Sequence, residues 1–223
     1  MRLLVCCEES QRVCSEFRKK GWESFSCDIQ DCSGGHPEWH IKSDVLPLLN
    51  GFCAFTTCDG TSHYVSSKWD LIIAHPPCTF LSNAGAVRMF TKPGVVNTER
   101  LKNALAARSF FLKILNSNCS HICVENPVPL SIVGLPLKTQ IIQPYFFGDP
   151  FSKKTYLWLK GLNHLKSTCV LSEHSTFVTK VHSAKIRSKT FPGIAAAMAD
   201  QWSSFDDYVP GFVFDSSDQL VFD

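Results

Sequence analysis

Trp69-Asp70-Leu71-Ile72-Ile73-Ala74-His75-Pro76-Pro77-Cys78 reads as a buried strand that runs into a rigid corner. The run over 69–74 is mostly apolar and short, which suits a strand covered on both faces. Two prolines then fix the backbone and suppress helix, so the Cys78 thiol is held where the strand ends. A second run, His121-Ile122-Cys123-Val124, leads into Glu125-Asn126-Pro127 in the same way. A thiol at the mouth of one strand and a carboxyl group at the mouth of the next fit a nucleophile and its partner acid. Each residue alone has a plainer reading. A cysteine at a strand end is commonly a small core hydrophobe, and a glutamate there can cap the next helix. The Pro-Pro context and the pairing favour chemistry, and burial at the strand mouth is expected to raise the pKa of Glu125.

Outward from this pair the pattern alternates. Strands are expected over 2–6, 23–27, 40–42, 69–74 and 121–124, and helices over 9–20, 99–115 and 194–202. Residues 30–39 read as loop, 45–49 as a helical turn, and 50–67 as an insertion without clear periodicity. Residues 82–97, with Gly85, Pro93 and Gly94, read as a mobile loop placed to close over the site. Two late runs, 140–147 and 154–159, flank Gly148-Asp149-Pro150 and read as a hairpin. Strands alternating with helices, then a hairpin, give an α/β doubly wound sheet. Ligands bind such sheets at the C-terminal strand ends, where Asp28, Asp44, Cys78 and Glu125 all fall.

Composition bounds the class. A chain of 223 residues, 44% hydrophobic and 19% charged, is expected to form one globular domain with a real core. No stretch approaches the roughly 18 apolar residues of a membrane span, so no membrane partner is expected. The N-terminus runs straight into Arg2-Leu3-Leu4-Val5 without a leader pattern. Eleven cysteines, two of them adjacent at Cys6-Cys7, then read as reduced thiols in a cytoplasmic or nuclear protein.

The net charge of +2 is unevenly spread. Lys153, Lys154, Lys160, Lys166, Lys180, Lys185, Arg187 and Lys189 face only Glu173 as an acid between 151 and 191, whereas residues 200–223 hold Asp and no Lys or Arg. Such a basic segment suits a polyanion such as nucleic acid; the plainer alternative is a solvated face screened by the acidic tail. Cys27, Cys32, His36 and His40 have a C-x4-C-x3-H-x3-H spacing that is uncommon for zinc, and no metal is expected. Tyr145-Phe146-Phe147 with Tyr156 and Trp158 would stack bases or, as alternating aromatics on paired strands more often do, fill core.

At these residues a resemblance appears. Pro76-Pro77-Cys78 and Glu125-Asn126 resemble, in order, the nucleophile and glutamate-asparagine motifs of the DNA cytosine-5 methyltransferases. Phe147-Gly148-Asp149-Pro150-Phe151-Ser152-Lys153-Lys154 resembles a later motif that supplies basic residues near the target base. Phe191-Pro192-Gly193-Ile194-Ala195 resembles the closing motif that returns to the cofactor pocket. The likeness spans most of residues 2–202. It is nearest to a compact phage- or virus-type branch in Ala74-His75-Pro76-Pro77-Cys78-Thr79-Phe80-Leu81-Ser82-Asn83 and Ser152-Lys153-Lys154-Thr155.

The resemblance implies a Rossmann-like S-adenosylmethionine-dependent methyltransferase fold with a terminal β-hairpin. It implies a single catalytic domain over 1–202, a short basic insert at 161–190 in place of a target-recognition domain, and an acidic tail over 203–223. Cys78 would add to the 6-position of cytosine in DNA while Glu125 holds the ring nitrogen and amine, with Lys153 or Lys154 where the family commonly has arginine. S-adenosylmethionine would contact Asp28 through its ribose, Asp44 and Val45 through its adenine, and Pro76. Pro77, Ser82, Asn83 and Asn126 would contact the base. The chain departs from the family after its first strand, where Val5-Cys6-Cys7-Glu8-Glu9-Ser10 replaces a glycine-containing turn. Cys7, Glu8 and Ser10 are expected to shape the methionine end instead, with Glu8 meeting the ammonium. The short insert implies loose specificity, a partner protein that supplies it, or a free pyrimidine nucleotide as substrate. A catalytically weak binding module is the reading from a different class.

Overall fold

The computed structural model describes residues 1–177 and 183–205. Lys180, the side chain of Lys185 and all of the acidic tail beyond 205 lie outside the described residues. Seven strands form one sheet: β1 (Arg2–Cys6), β2 (Glu23–Asp28), β3 (His40–Lys42), β4 (Leu71–Ala74), β5 (Ile122–Pro127), β6 (Gln140–Ile142) and β7 (Thr155–Lys160). Their spatial order is β6-β7-β5-β4-β1-β2-β3. The ladders joining β3, β2, β1, β4 and β5 are parallel, and β7 runs antiparallel to both neighbours.

Both faces are covered, which explains the continuous apolar strands. Leu4, Cys6, Ile72, Ala74, Ile122 and Val124 share a core with Ala104, Phe111 and Ile114 of α2 (Thr98–Leu115). Leu3, Val5, Leu71, Ile73 and Cys123 face the other way, onto α1 (Arg12–Lys19) and the helix Pro192–Trp202. A short helix at Ala184–Ser188 is α3, so Pro192–Trp202 is α4. Asn97 caps α2 by accepting from the Arg100 N–H, and Glu99 and Lys113 complement its dipole at the two ends.

The register makes the parallel strands end level. Cys6 pairs with both Cys27 and Ala74, and Ala74 pairs with Val124. The strand order reverses between β1 and β4, and that reversal opens a crevice at the C-terminal edge. His75 and Glu125 are therefore the first residues past the β4–β5 ladder. Glu125 itself stays paired to Leu157 of β7, so β5 runs three residues beyond the strand that the sequence suggests.

Other boundaries move for local reasons. The segment 50–67 is a hairpin, Cys53–Thr56 with Ser62–Val65, whose Phe55 packs on Phe25 and Trp69. Residues 82–97 are ordered as a 3-10 turn at Asn83–Arg88 and a ribbon of Phe90–Lys92 with Val95–Val96. The late hairpin forms between β6 and β7, but β6 stops before Pro144, which has no N–H for a ladder. Helix α1 begins at Arg12 because Gln11 is left-handed, at φ 57°. Among the described residues no helix is long and apolar enough to cross a membrane.

Candidate active site

Period-two alternation through Leu71 and Ile73 carries His75 to the α1/α4 face, and the same alternation through Cys123 carries Glu125 there. The two side chains meet: His75 Nδ1 lies 3.1 Å from Glu125 Oε2, with exposures of only 9% and 10%. Burial alone would push the Glu125 carboxyl up. The His75 hydrogen bond and charge, with the Lys153 charge, outweigh that and hold it below its usual value. For His75, burial pulls the imidazole down, but the Glu125 hydrogen bond and charge and the Glu8 charge leave it raised. Both directions describe one ion pair. The pKa rise expected for Glu125 from burial is thus reversed, because the sequence reading omitted its neighbour.

The thiol is carried on a turn tied to the same edge. Asn126 Nδ2 donates to the Pro76 carbonyl at 3.0 Å, joining the end of β5 to the turn that follows β4. The Cys78 carbonyl accepts from the N–H groups of Leu81 and Ser82, at 3.1 and 2.9 Å. Asn83 N–H donates to Val128, Leu130 N–H donates to Leu81, and Ser82 bridges Pro129. Arg100 of α2 donates to the Thr79 carbonyl at 2.8 Å. Cys78 is half-buried, Pro76 and Ser82 are buried, and Pro77 and Asn83 are exposed.

The antiparallel β5–β7 ladder opposes Thr155 to Pro127, which brings the start of β7 to the same edge. Lys153 Nζ donates to the Arg187 carbonyl at 2.8 Å, and its charge acts on both His75 and Glu125. Lys154 is exposed and lies over the Tyr156 ring, 5.8 Å from its centroid. The approach to α4 comes back to the site: the Thr190 hydroxyl is 3.4 Å from His75 Nδ1.

The residues expected to hold a nucleoside lie at the ends of β2 and β3. Asp28 is half-buried, and its Oδ1 is fixed by the Gln30 N–H and side chain, which orients the carboxylate as a diol acceptor. Beside it, Ile29 is 75% exposed and offers an apolar surface of the kind a purine ring covers. Asp44 accepts from the Leu46 N–H at 3.0 Å, next to buried Val45. The residues expected at a methionine end, Cys7, Glu8 and Ser10, follow β1. Glu8 is buried and its two oxygens accept from Val13 and Cys14, at 2.6 and 3.2 Å, so the carboxylate meets the first turn of α1. Burial pushes Glu8 up to about 7. Cys7, at φ 59°, makes the turn that glycine would favour, held by its N–H to the Cys27 carbonyl at 2.7 Å. Ser10 is half-buried just before Gln11.

Of the residues spaced for zinc, His40 has both ring nitrogens bonded, to Ser26 Oγ and the Gln30 carbonyl, each at 2.9 Å. Cys27 Sγ lies on the Ser43 carbonyl. Among the described residues no group of three or more His, Cys, Asp or Glu is placed to hold a metal. Trp158 and Phe147 are core, whereas Tyr145 stacks on His174 at 3.9 Å. Sequence reasoning passed over His75, Ile29 and Thr190. For His75 the signal was present: it continues the Leu71–Ile73 alternation onto the face that Glu125 occupies.

No protein-family model matches the chain, and no curated protein does. Among solved structures the chain is similar to an E. coli prophage-encoded protein described provisionally as a DNA modification methyltransferase. The identity is 13% and the TM-score 0.44, over 77% of this chain and 52% of the other. The chain therefore spans about half the length of that protein.

Proposed function

We propose that this chain is an S-adenosylmethionine-dependent methyltransferase acting on the 5-position of cytosine in DNA, with Cys78 as nucleophile. The observation that carries this is the Asn126–Pro76 bond. It locks the Cys78 turn to the strand end that presents Glu125. A fixed nucleophile and acid are what addition to a pyrimidine ring requires. The topology supports the same reading, since Cys78 follows β4, which borders the strand-order reversal, and Glu125 lies on the adjacent β5.

The Cys78 thiolate adds to the 6-position, and electron density moves to the 5-position and the ring nitrogen. Glu125, with Oε2 held by His75, turns Oε1 to the ring nitrogen and exocyclic amine. S-adenosylmethionine, when bound, supplies the electrophilic methyl group. Asp28 would hold its ribose hydroxyls, and Asp44, Val45 and Ile29 would bracket its adenine. Loss of the ring proton and of the thiol restores aromaticity. The base must leave the duplex to reach Cys78, and the segment 82–97 forms one wall of its entry. Ser82 and Asn83 begin that wall, and Lys153 and Lys154 supply positive charge just before β7.

Duplex DNA containing 5-fluorocytosine tests the reading, because fluorine cannot leave as a proton does. Incubated with the chain and S-adenosylmethionine, it is expected to give a covalent adduct that maps to Cys78. Cys78→Ala should form none while keeping its thermal midpoint. An adduct that persists in Cys78→Ala overturns the mechanism. The short 161–190 span favours a second substrate, the free pyrimidine nucleotide, or a partner protein that selects the site; duplex, single strand and nucleotide in parallel assays separate these. The inward-turned Glu8 favours a catalytically weak binding module instead. Calorimetry that detects no S-adenosylmethionine binding would establish that module.

A further inference from the structure

We infer that His75 is the positioning residue of this site, fixing Glu125 through one oxygen and storing the proton that Glu125 passes to the target ring. The inference rests on the reading of Glu125 as the base-binding acid. Its basis is a contrast between two buried histidines. His40 has both ring nitrogens satisfied, as a structural histidine should. His75 bonds Glu125 through Nδ1, but its Nε2 is buried with no hydrogen-bond partner. Leaving a buried polar atom unpaired is costly, and such an atom calls for an explanation beyond packing. A bound ligand that offers an acceptor completes it.

The surroundings fit a proton store. Glu125 faces His75 from β5, Glu8 acts on it from the end of β1, and Lys153 from the start of β7. The Thr190 hydroxyl approaches from the α4 side, and the Thr190 carbonyl is held by Arg12 of α1. His75 and Glu125 hold one proton between them, so its position shifts within the pair without changing the pair's net charge. A neutral pyrimidine can then approach Glu125 without meeting a lone carboxylate.

The step balances. Addition of the Cys78 thiolate leaves negative charge on the ring nitrogen. The His75 Nδ1–H bond breaks as Glu125 takes the proton, and Glu125 delivers it to the ring nitrogen. Glu125 ends as the carboxylate it was, His75 ends neutral, and the adduct is uncharged. Loss of the thiol reverses the transfer.

The test is the pH profile of single-turnover adduct formation with 5-fluorocytosine duplex. The wild-type rate should fall on the alkaline side as His75 loses its proton. His75→Gln keeps size and a donor to Glu125 but cannot titrate. It is expected to lower the plateau at least about a hundredfold, the low end of general-acid contributions, and to abolish the alkaline limb that His75 sets. A purely structural histidine would lower the rate without moving the limb. Wild-type rate with an unmoved limb in His75→Gln overturns the inference while Cys78-dependent adduct sustains the parent reading. Absence of Cys78-dependent adduct in the wild type takes down both. A second measurement needs no change at His75. By NMR its ring should titrate above the ordinary histidine range, and lower in Glu125→Gln. Titration at or below that range in the wild type also overturns the inference.

Discussion

Glu8 shows how much of a side chain's surroundings a local reading leaves out. Its carboxylate closes the N-terminus of α1, and burial lifts its pKa from 4.5 to about 7. A group that holds its proton more tightly folded than unfolded favours the fold in acid. That contribution is fully present below about pH 4.5 and is lost as pH rises through about 7. Urea unfolding at pH 5 and pH 8 should therefore show the wild type losing on the order of 3 kcal/mol between them. Glu8→Gln should slope less steeply over that window, keeping the loss that the raised His75 contributes, and an equal slope in both proteins would refute the assignment. The sequence shows the carboxylate but not what answers it, since the N–H groups of α1 become available only once Gln11 has turned left-handed. That turn is fixed by His36, whose N–H and carbonyl both bond the Gln11 side chain. Partners so far apart leave no local trace.

At the scale of elements, the strand cores were legible and their ends were not. Residues 2–6 and 40–42 are strands where the apolar pattern puts them, and the Pro76-Pro77 corner ends β4 as proline chemistry dictates. The hairpin over 50–67 was invisible, because only Phe55 and Val65 of its strands are buried and period-two patterning needs a fully covered face. The extension of β5 to Pro127 depends on β7, a strand encoded some thirty residues later. Two substitutions check how the helices are set. Asn97→Ala removes the cap of α2 and should cost about 1 kcal/mol in chemical denaturation. Gly193 lies in the first turn of α4, and a Cβ there would come within 2.0 Å of the Phe147 carbonyl oxygen. Gly193→Ala should therefore cost about 1–3 kcal/mol by overpacking, with the loss seen as a lowered urea midpoint. A neutral result would mean that α4 is free to slide off the Phe147–Asp149 turn.

For the whole molecule, Lys153 puts positive charge beside His75 and Glu125, and further lysines stand exposed along the chain that follows it. Lys154 and Lys166 are exposed on the segment that the sequence marks as basic. Under the proposed function, replacing both by alanine should weaken duplex binding uniformly across sequences and reduce the slope of log K against log salt by about one per lost phosphate contact. Fluorescence anisotropy over a salt series measures it, and an unchanged slope would place the DNA track elsewhere. The sheet also has a property unrelated to the candidate site. Its two outermost strands, β3 and β6, are three residues each. Margins that short give an incoming chain too few open backbone groups to build upon. Rims so brief guard this protein against zipping into fibrils with its own copies.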